Sequence, residues 1–126
     1  MILGIGIDIL DIRRIEKLFL KFGERFEKKF YTENELNFAK KRKSYIETLA
    51  KMFSIKESVF KAISNVSGIS PRDIEIFHDE NGKPSVKLSR NALKIVNAKA
   101  CGGEFLITVS VSDEIPYACS FVIISQ

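Results

Sequence analysis

The chain has 126 residues, 45% hydrophobic and 29% charged, with a net charge of +4. That length suits one domain, residues 1–126, able to bury about two-thirds of its unfolded surface without staples. No stretch approaches the roughly 18 apolar residues of a membrane span, no basic region precedes the apolar N-terminus as in a signal peptide, and a single histidine with two cysteines lacking ligand spacing gives no zinc site.

The first element is Ile2-Leu3-Gly4-Ile5-Gly6-Ile7-Asp8-Ile9-Leu10, an apolar run that predicts a buried strand. Asp8 is out of place in it. Asp11 then caps a helix whose apolar face is Ile12, Ile15, Leu18, Phe19 and Phe22. On its other side Arg13, Lys17 and Lys21 share an exposed stripe, flanked by Arg14. Gly23 ends that helix, and a short basic-aromatic segment leads to Tyr31. Thr32-Glu33-Asn34-Glu35 matches a capping box opening a short helix to about Lys41. Ser44-Tyr45-Ile46-Glu47 matches a second, opening a long helix from Ser44 to Asn65.

The apolar stripe of that long helix is Ile46, Leu49, Ala50, Phe53, Phe60 and Ile63. Glu57 falls within it, four residues after Phe53 and three before Phe60. A buried carboxylate must be paired, protonated or bound to metal. Each misfit has a plain structural reading: Asp8 as a strand-end cap, Glu57 as an ion-pair partner of Lys56 or Lys61. Two in one small domain suggest a shared divalent cation that neutralises both.

Ser67-Gly68-Ile69-Ser70-Pro71 is a loop signal. Ile74 to His78 alternates as a strand, Asn81-Gly82 marks a hairpin turn, and Ser85 to Leu88 returns. Ser89 to about Lys99 reads as a helix. Strands Phe105 to Ser112 and Tyr117 to Ser125 close the chain, joined by Asp113-Glu114-Ile115-Pro116. Strands at both ends with helices inserted early indicate α+β, an antiparallel sheet packed against a long helix. The cysteines, Cys101 and Cys119, suit a reducing compartment, and the chain reads as cytosolic. His78 reads as a strand-surface residue.

Basic residues gather at Arg13, Arg14, Lys17, Lys21 and Arg25, and again at Lys40 to Lys43. Such clusters favour an anionic partner, whether nucleic acid, a phosphorylated small molecule or an acidic protein, unless they are solvated faces.

Phe53-Ser54-Ile55-Lys56-Glu57-Ser58-Val59-Phe60-Lys61-Ala62 resembles the F-x-x-K-E-[AS]-x-x-K-[AG] signature of the 4′-phosphopantetheinyl transferases. Gly4-Ile5-Gly6-Ile7-Asp8-Ile9 is similar to the opening of their short bacterial branch, the holo-acyl-carrier-protein synthases. Gly82-Lys83-Pro84 resembles that branch's G-K-P turn, and Val109 to Cys119 resembles its last two strands. The resemblance runs in order over nearly the whole chain.

What it implies is transfer of the 4′-phosphopantetheine arm of coenzyme A to a serine of apo-acyl carrier protein. Adenosine 3′,5′-bisphosphate is released, in support of fatty acid biosynthesis. Asp8 and Glu57 become magnesium ligands, and Lys61 meets the phosphates as a point charge. Coenzyme A falls to Lys56, Lys61, Gly82, Lys83 and Pro84. The attacking hydroxyl gives its proton to Glu57 or to a water on the cation; the sequence leaves both open. Arg14, Lys17 and Lys21 are expected to receive the acidic carrier protein. Lys40 to Lys43 face the adenosine 3′-phosphate or solvent. Short members are homotrimers with active sites between subunits. Neither nucleic acid nor membrane is an expected partner.

The chain departs from the family pattern at Thr108, where a histidine is usual, and at Met52, where an arginine is usual. Both put the grip on the nucleotide end of coenzyme A in question. The rival readings are a small basic nucleic-acid-binding module, which leaves Asp8 and Glu57 unexplained, and a trimeric scaffold without activity.

Overall fold

The computed structural model describes residues 1–64 and 67–126. Strand β1 (Ile2–Asp11) runs directly into helix α1 (Ile12–Phe22). The Asp11 carboxylate accepts a bond from the Arg13 amide and caps α1 as its position predicts. Gly23 adopts φ 53°, a left-handed conformation open to glycine. It donates to Phe19 O at 2.7 Å, ends α1 and at once opens helix α2 (Glu24–Phe30). The basic-aromatic segment before Tyr31, assigned no element from sequence, is therefore helical.

Helix α3 (Glu33–Lys40) carries the expected capping box, with Thr32 and Glu35 exchanging side-chain bonds to each other's amides. Helix α4 (Tyr45–Ile63) follows Ser44, whose side chain makes no cap bond. Instead the Thr48 hydroxyl donates to Ser44 O at 2.7 Å. The helix closes at Ser64; its expected last residue, Asn65, lies outside the described residues.

A 3-10 turn (Pro71–Asp73) leads to strands β2 (Ile74–His78) and β3 (Pro84–Leu88), an antiparallel pair. Their connection is a five-residue turn, not the two-residue turn that Asn81-Gly82 suggests, because the Asp79 carboxylate gathers the amides of Asn81 and Lys83. Ser89 caps helix α5 (Arg90–Lys99). Strands β4 (Leu106–Glu114) and β5 (Tyr117–Ser125) complete a three-stranded antiparallel sheet in the order β1-β5-β4. Asp8 pairs in register with Ser120, and Gly6 with Val122.

The architecture is α+β, with α4 laid across the inner face of this sheet. Leu10, Ala118, Val122 and Ile124 meet Leu49, Phe53, Ile55, Val59 and Ile63 in the core. Each full burial of such a large apolar side chain stabilises the fold by about 1.5–3 kcal/mol.

Two expectations change here. The run Ile2 to Leu10 is not buried on both faces: Ile5, Ile7 and Ile9 are 58%, 62% and 72% exposed. The core lies on the inner face alone. Helix α4 is not a simple amphipathic helix either, since Met52, Ser54, Lys56 and Ser58 are buried as fully as its apolar stripe. The sheet covers one side, while α1, α3 and β2 pack elsewhere along it. Glu57, which periodicity assigns to the buried stripe, is only partly buried, and the charge taken into the interior is that of Lys56.

Candidate active site

The site begins with two glycines. Gly4, Gly6 and Asp8 alternate along β1 on the face toward α4. A Cβ at Gly6 would lie 1.8 Å from Ser58 O, and one at Gly4 2.0 Å from Ala62 O. Only glycine lets the helix backbone come this close. The close approach lays the Glu57–Lys61 turn of α4 over Asp8.

Lys61 Nζ donates to Ile7 O at 2.8 Å and reaches Asp8 Oδ1 at 3.4 Å. It thus pairs with Asp8 across the interface, whereas the sequence offered Glu57 as its neighbour. The Asp8 side chain is 13% exposed, and its Oδ2 is buried with no hydrogen-bond partner among the described residues. Burial and then the Asp8 charge hold the Glu57 carboxyl above its usual range, with Lys61 and Arg14 opposing.

The two carboxylates, Asp8 with an orphaned buried oxygen and Glu57 beside it, form a hard anionic donor pair suited to magnesium. Among the described residues no group of three or more His, Cys, Asp or Glu side chains could hold a metal. A two-carboxylate magnesium site leaves its remaining positions to phosphate and water, so the residues present fit that ion.

Behind the carboxylates lies a feature that the motif reading missed. Ser120 Oγ sits 2.8 Å from Ser54 Oγ and 2.6 Å from Ser58 Oγ, all three buried. This hydroxyl cluster joins α4 to β5 at the level of Asp8, since Ser120 is the register partner of Asp8. The alternation of β5 places Ser120 inward, but which helix turn it meets is a tertiary fact.

Lys56 is not placed to touch coenzyme A. Its ammonium, 2% exposed, donates to Phe30 O, Glu35 Oε1 and Pro71 O at 2.7, 2.7 and 2.9 Å. All three N–H groups are occupied. Glu35, read from sequence only as a capping residue, is its buried counter-ion. Met52 is fully buried, so an arginine at that position would have to enter the core. Thr108 lies exposed on β4.

Gly82 and Lys83 are exposed in the β2–β3 turn, and Pro84 begins β3. Among the described residues no hydrogen bond or ion pair joins this turn to Asp8 or Glu57. Lys41, Arg42 and Lys43 line a basic cleft of about 710 Å³ with Ser44, Thr48 and Lys51. Lys51 is paired there with Asp113 at 3.1 Å. His78 is no free surface residue: its ring stacks on Phe38 at 4.0 Å, and burial lowers its pKa.

Of the basic stripe on α1, Arg13 is held by Asp11 at 2.7 Å. Arg14, Lys17 and Lys21 line a shallow cleft with Leu18 and Phe22. Arg14 also stands 5.8 Å over the Phe53 ring, at the edge of a groove of about 360 Å³. Phe26, Phe30 and Phe53 line that groove, with Arg25 and Lys29 beside them. Sequence reading missed this wall because α2 was not assigned as a helix.

A family model described as the 4′-phosphopantetheinyl transferase superfamily matches residues 4–110. A holo-[acyl-carrier-protein] synthase of Fusobacterium nucleatum is 42% identical over 98% of this chain and 99% of its own. That of Paramagnetospirillum magneticum is 39% identical over 98% of this chain and 96% of its own. Among solved structures, the holo-[acyl-carrier-protein] synthase of Neisseria meningitidis superposes with a TM-score of 0.87 at 34% identity, over the whole of both chains. That of Bacillus anthracis, in complex with CoA (3′,5′-ADP), gives 0.80 at 32% identity, over 100% of this chain and 98% of that one. The chain belongs to the 4′-phosphopantetheinyl transferase superfamily.

Proposed function

From that membership we propose that the chain moves the 4′-phosphopantetheine arm of coenzyme A onto a serine of apo-acyl carrier protein. It releases adenosine 3′,5′-bisphosphate and supplies holo carrier protein for fatty acid biosynthesis. The observation that carries this reading within the site is the facing of Asp8, with its orphaned Oδ2, and Glu57 beside Lys61. A nucleic-acid-binding module would leave Asp8 and Glu57 unexplained.

Asp8 and Glu57 are the residues that would hold magnesium. When bound, that ion draws charge off the diphosphate and stabilises the leaving group. Lys61, half-exposed and anchored on Ile7 O, can turn its ammonium toward phosphate oxygens without leaving the site. Glu57 is the proton acceptor that the chain itself offers the attacking serine. The serine oxygen forms the new P–O bond to the pantetheine-side phosphorus, and the bond to the nucleotide phosphate breaks. The basic cleft at Lys41 to Lys43 suits the nucleotide's phosphates, and Gly82-Lys83-Pro84 offer a second, exposed approach for coenzyme A.

Arg14, Lys17 and Lys21 would steer an acidic carrier protein, and the neighbouring aromatic groove would take an apolar side of it. The uncovered isoleucines of β1, with Tyr117 and Phe121 of β5, form an apolar sheet face. Such a face calls for a partner, and homotrimerisation with the active site between subunits would cover it. Among the described residues no helix is long and apolar enough to cross a membrane. Two free cysteines suit a reducing cytoplasm as the enzyme's location.

The test is incubation with apo-acyl carrier protein, coenzyme A and magnesium, read by intact mass. A gain of one phosphopantetheine arm on the carrier is expected; no gain with a carrier that a known synthase modifies would overturn the reading. Sedimentation would test the trimer.

A further inference from the structure

We infer that Lys56 is a positioning residue: it fixes α2, one wall of the aromatic groove, to the catalytic helix beside Glu57. The inference rests on the carrier-protein reading of that groove.

Helix α2 has seven residues, too few to persist on their own. Its last carbonyl, Phe30 O, accepts from Lys56 at 2.7 Å, while the Phe30 ring packs on Phe53 at 5.2 Å. Both ties lead to α4, and both end on residues within four positions of Glu57. The other two bonds of the ammonium go to Glu35 and Pro71 O, and Glu35 in turn accepts from the amides of Thr32 and Ile76. One buried cation therefore joins the end of α2, the cap of α3, the 3-10 turn and β2.

A buried ion pair seldom stabilises a fold more than a well-packed apolar pair would. What it supplies is direction. Three bonds at fixed lengths set where α2 stops. That stop sets the spacing between Phe30 and Phe53 in the floor of the groove, and the position of Arg25 and Lys29 beside it. Because Lys56 precedes Glu57, the groove is located relative to the carboxylate that the incoming serine must reach. Apolar packing alone would leave a short amphipathic helix free to shift.

Lys56→Met alone would leave Glu35 buried without its cation and risks unfolding the chain. The variant to measure is Lys56→Met/Glu35→Gln, which removes both charges and keeps an amide oxygen for the backbone donors. With folding verified by circular dichroism, the KM for apo-acyl carrier protein should rise about tenfold, as small misplacements of a docking wall do. The KM for coenzyme A should stay within about twofold. Lys56→Gln/Glu35→Gln should fall between this variant and wild type, since the amide at position 56 restores part of the donor set.

An unchanged carrier KM in the folded double variant would overturn the inference. So would a parallel rise in both constants, which would mean a general loss of site structure. A wild-type chain that transfers nothing to the carrier would instead defeat the reading on which the inference rests. Should neither variant fold, amide exchange of the wild type decides. The hydrogen-bonded amides of residues 27–31 should exchange no faster than those of α4, and independent opening of α2 would refute the tie.

Discussion

Replacing Gly6 with alanine tests whether the close approach of α4 to β1 sets the carboxylate spacing. The added methyl would meet Ser58 O at 1.8 Å, backbone against backbone, with no flexible side chain to yield. The helix must retreat by more than an ångström before that contact reaches 3.0 Å. Overpacking of this kind costs about 1–3 kcal/mol, enough to lower the melting temperature by several degrees. The larger effect is on chemistry. Ser58 adjoins Glu57, so its retreat draws Glu57 from Asp8, and a 1 Å misplacement of that kind can cost about a hundredfold in rate. Gly4→Ala is the matched control. Its methyl meets Ala62 O at 2.0 Å, a clash of similar size centred a turn further from Glu57. Thermal unfolding and the mass-read transfer assay should show similar losses of stability for the two variants, with the greater loss of activity at Gly6. If Gly6→Ala loses no more activity than Gly4→Ala, the glycine contact does not govern the site.

Asp8→Asn and Glu57→Gln should each abolish transfer while keeping the fold. Since the folded Glu57 holds its proton to higher pH than the unfolded chain does, its own contribution to metal-free stability falls as pH rises through the carboxylate range. Asp8→Asn should flatten that fall in urea unfolding, and an unchanged slope would show that the two carboxylates do not interact. Reversing charge at Arg14 and Lys21 should raise the KM for carrier protein and leave that for coenzyme A alone, and the wild-type rate should drop with salt; a salt-insensitive rate would count against the docking surface. Met52→Arg, which restores the usual family residue, should destabilise by several kcal/mol because position 52 is fully buried. A melting point equal to wild type would show that the core opens there. Tyr31 is buried, donates to Leu49 O, and has a pKa raised by burial first and Glu35 next. Its folded pKa exceeds the unfolded one, so stability should hold below about pH 10 and fall above it by up to ~1.4 kcal/mol per pH unit. Tyr31→Phe should lessen that alkaline fall.

The element order was legible because caps, alternation and turn residues are local. Asp11 and Thr32 each cap the helix that their letters announce. The miss at α2 has a local cause of another kind. Gly23 stops one helix and starts another, and a glycine alone does not say which. The five-residue turn after β2 is decided by Asp79, whose carboxylate competes with the Asn-Gly signal. The open face of β1 was illegible because a single chain's apolar run does not say whether its second face is covered by the chain itself.

The reading of Asp8 and Glu57 separates a chemical criterion from a geometric one. Periodicity placed Glu57 in the core and the resemblance gave Lys56 to coenzyme A, whereas the structure buries Lys56 and leaves Glu57 only partly buried. The difference follows from α4 being covered on more than one side. A period of 3.6 finds one buried stripe, and on a helix that packs from several directions the excess burial falls on residues outside that stripe. A lysine can be one of them only if every N–H finds an acceptor, and those acceptors lie 26, 21 and 15 residues away in sequence. No local pattern carries that information. The carboxylates were found by a different criterion, that an anion in an apolar run needs a cation whichever way the helix turns. That criterion needs no helix orientation, and among the described residues the buried Oδ2 of Asp8 has no hydrogen-bond partner.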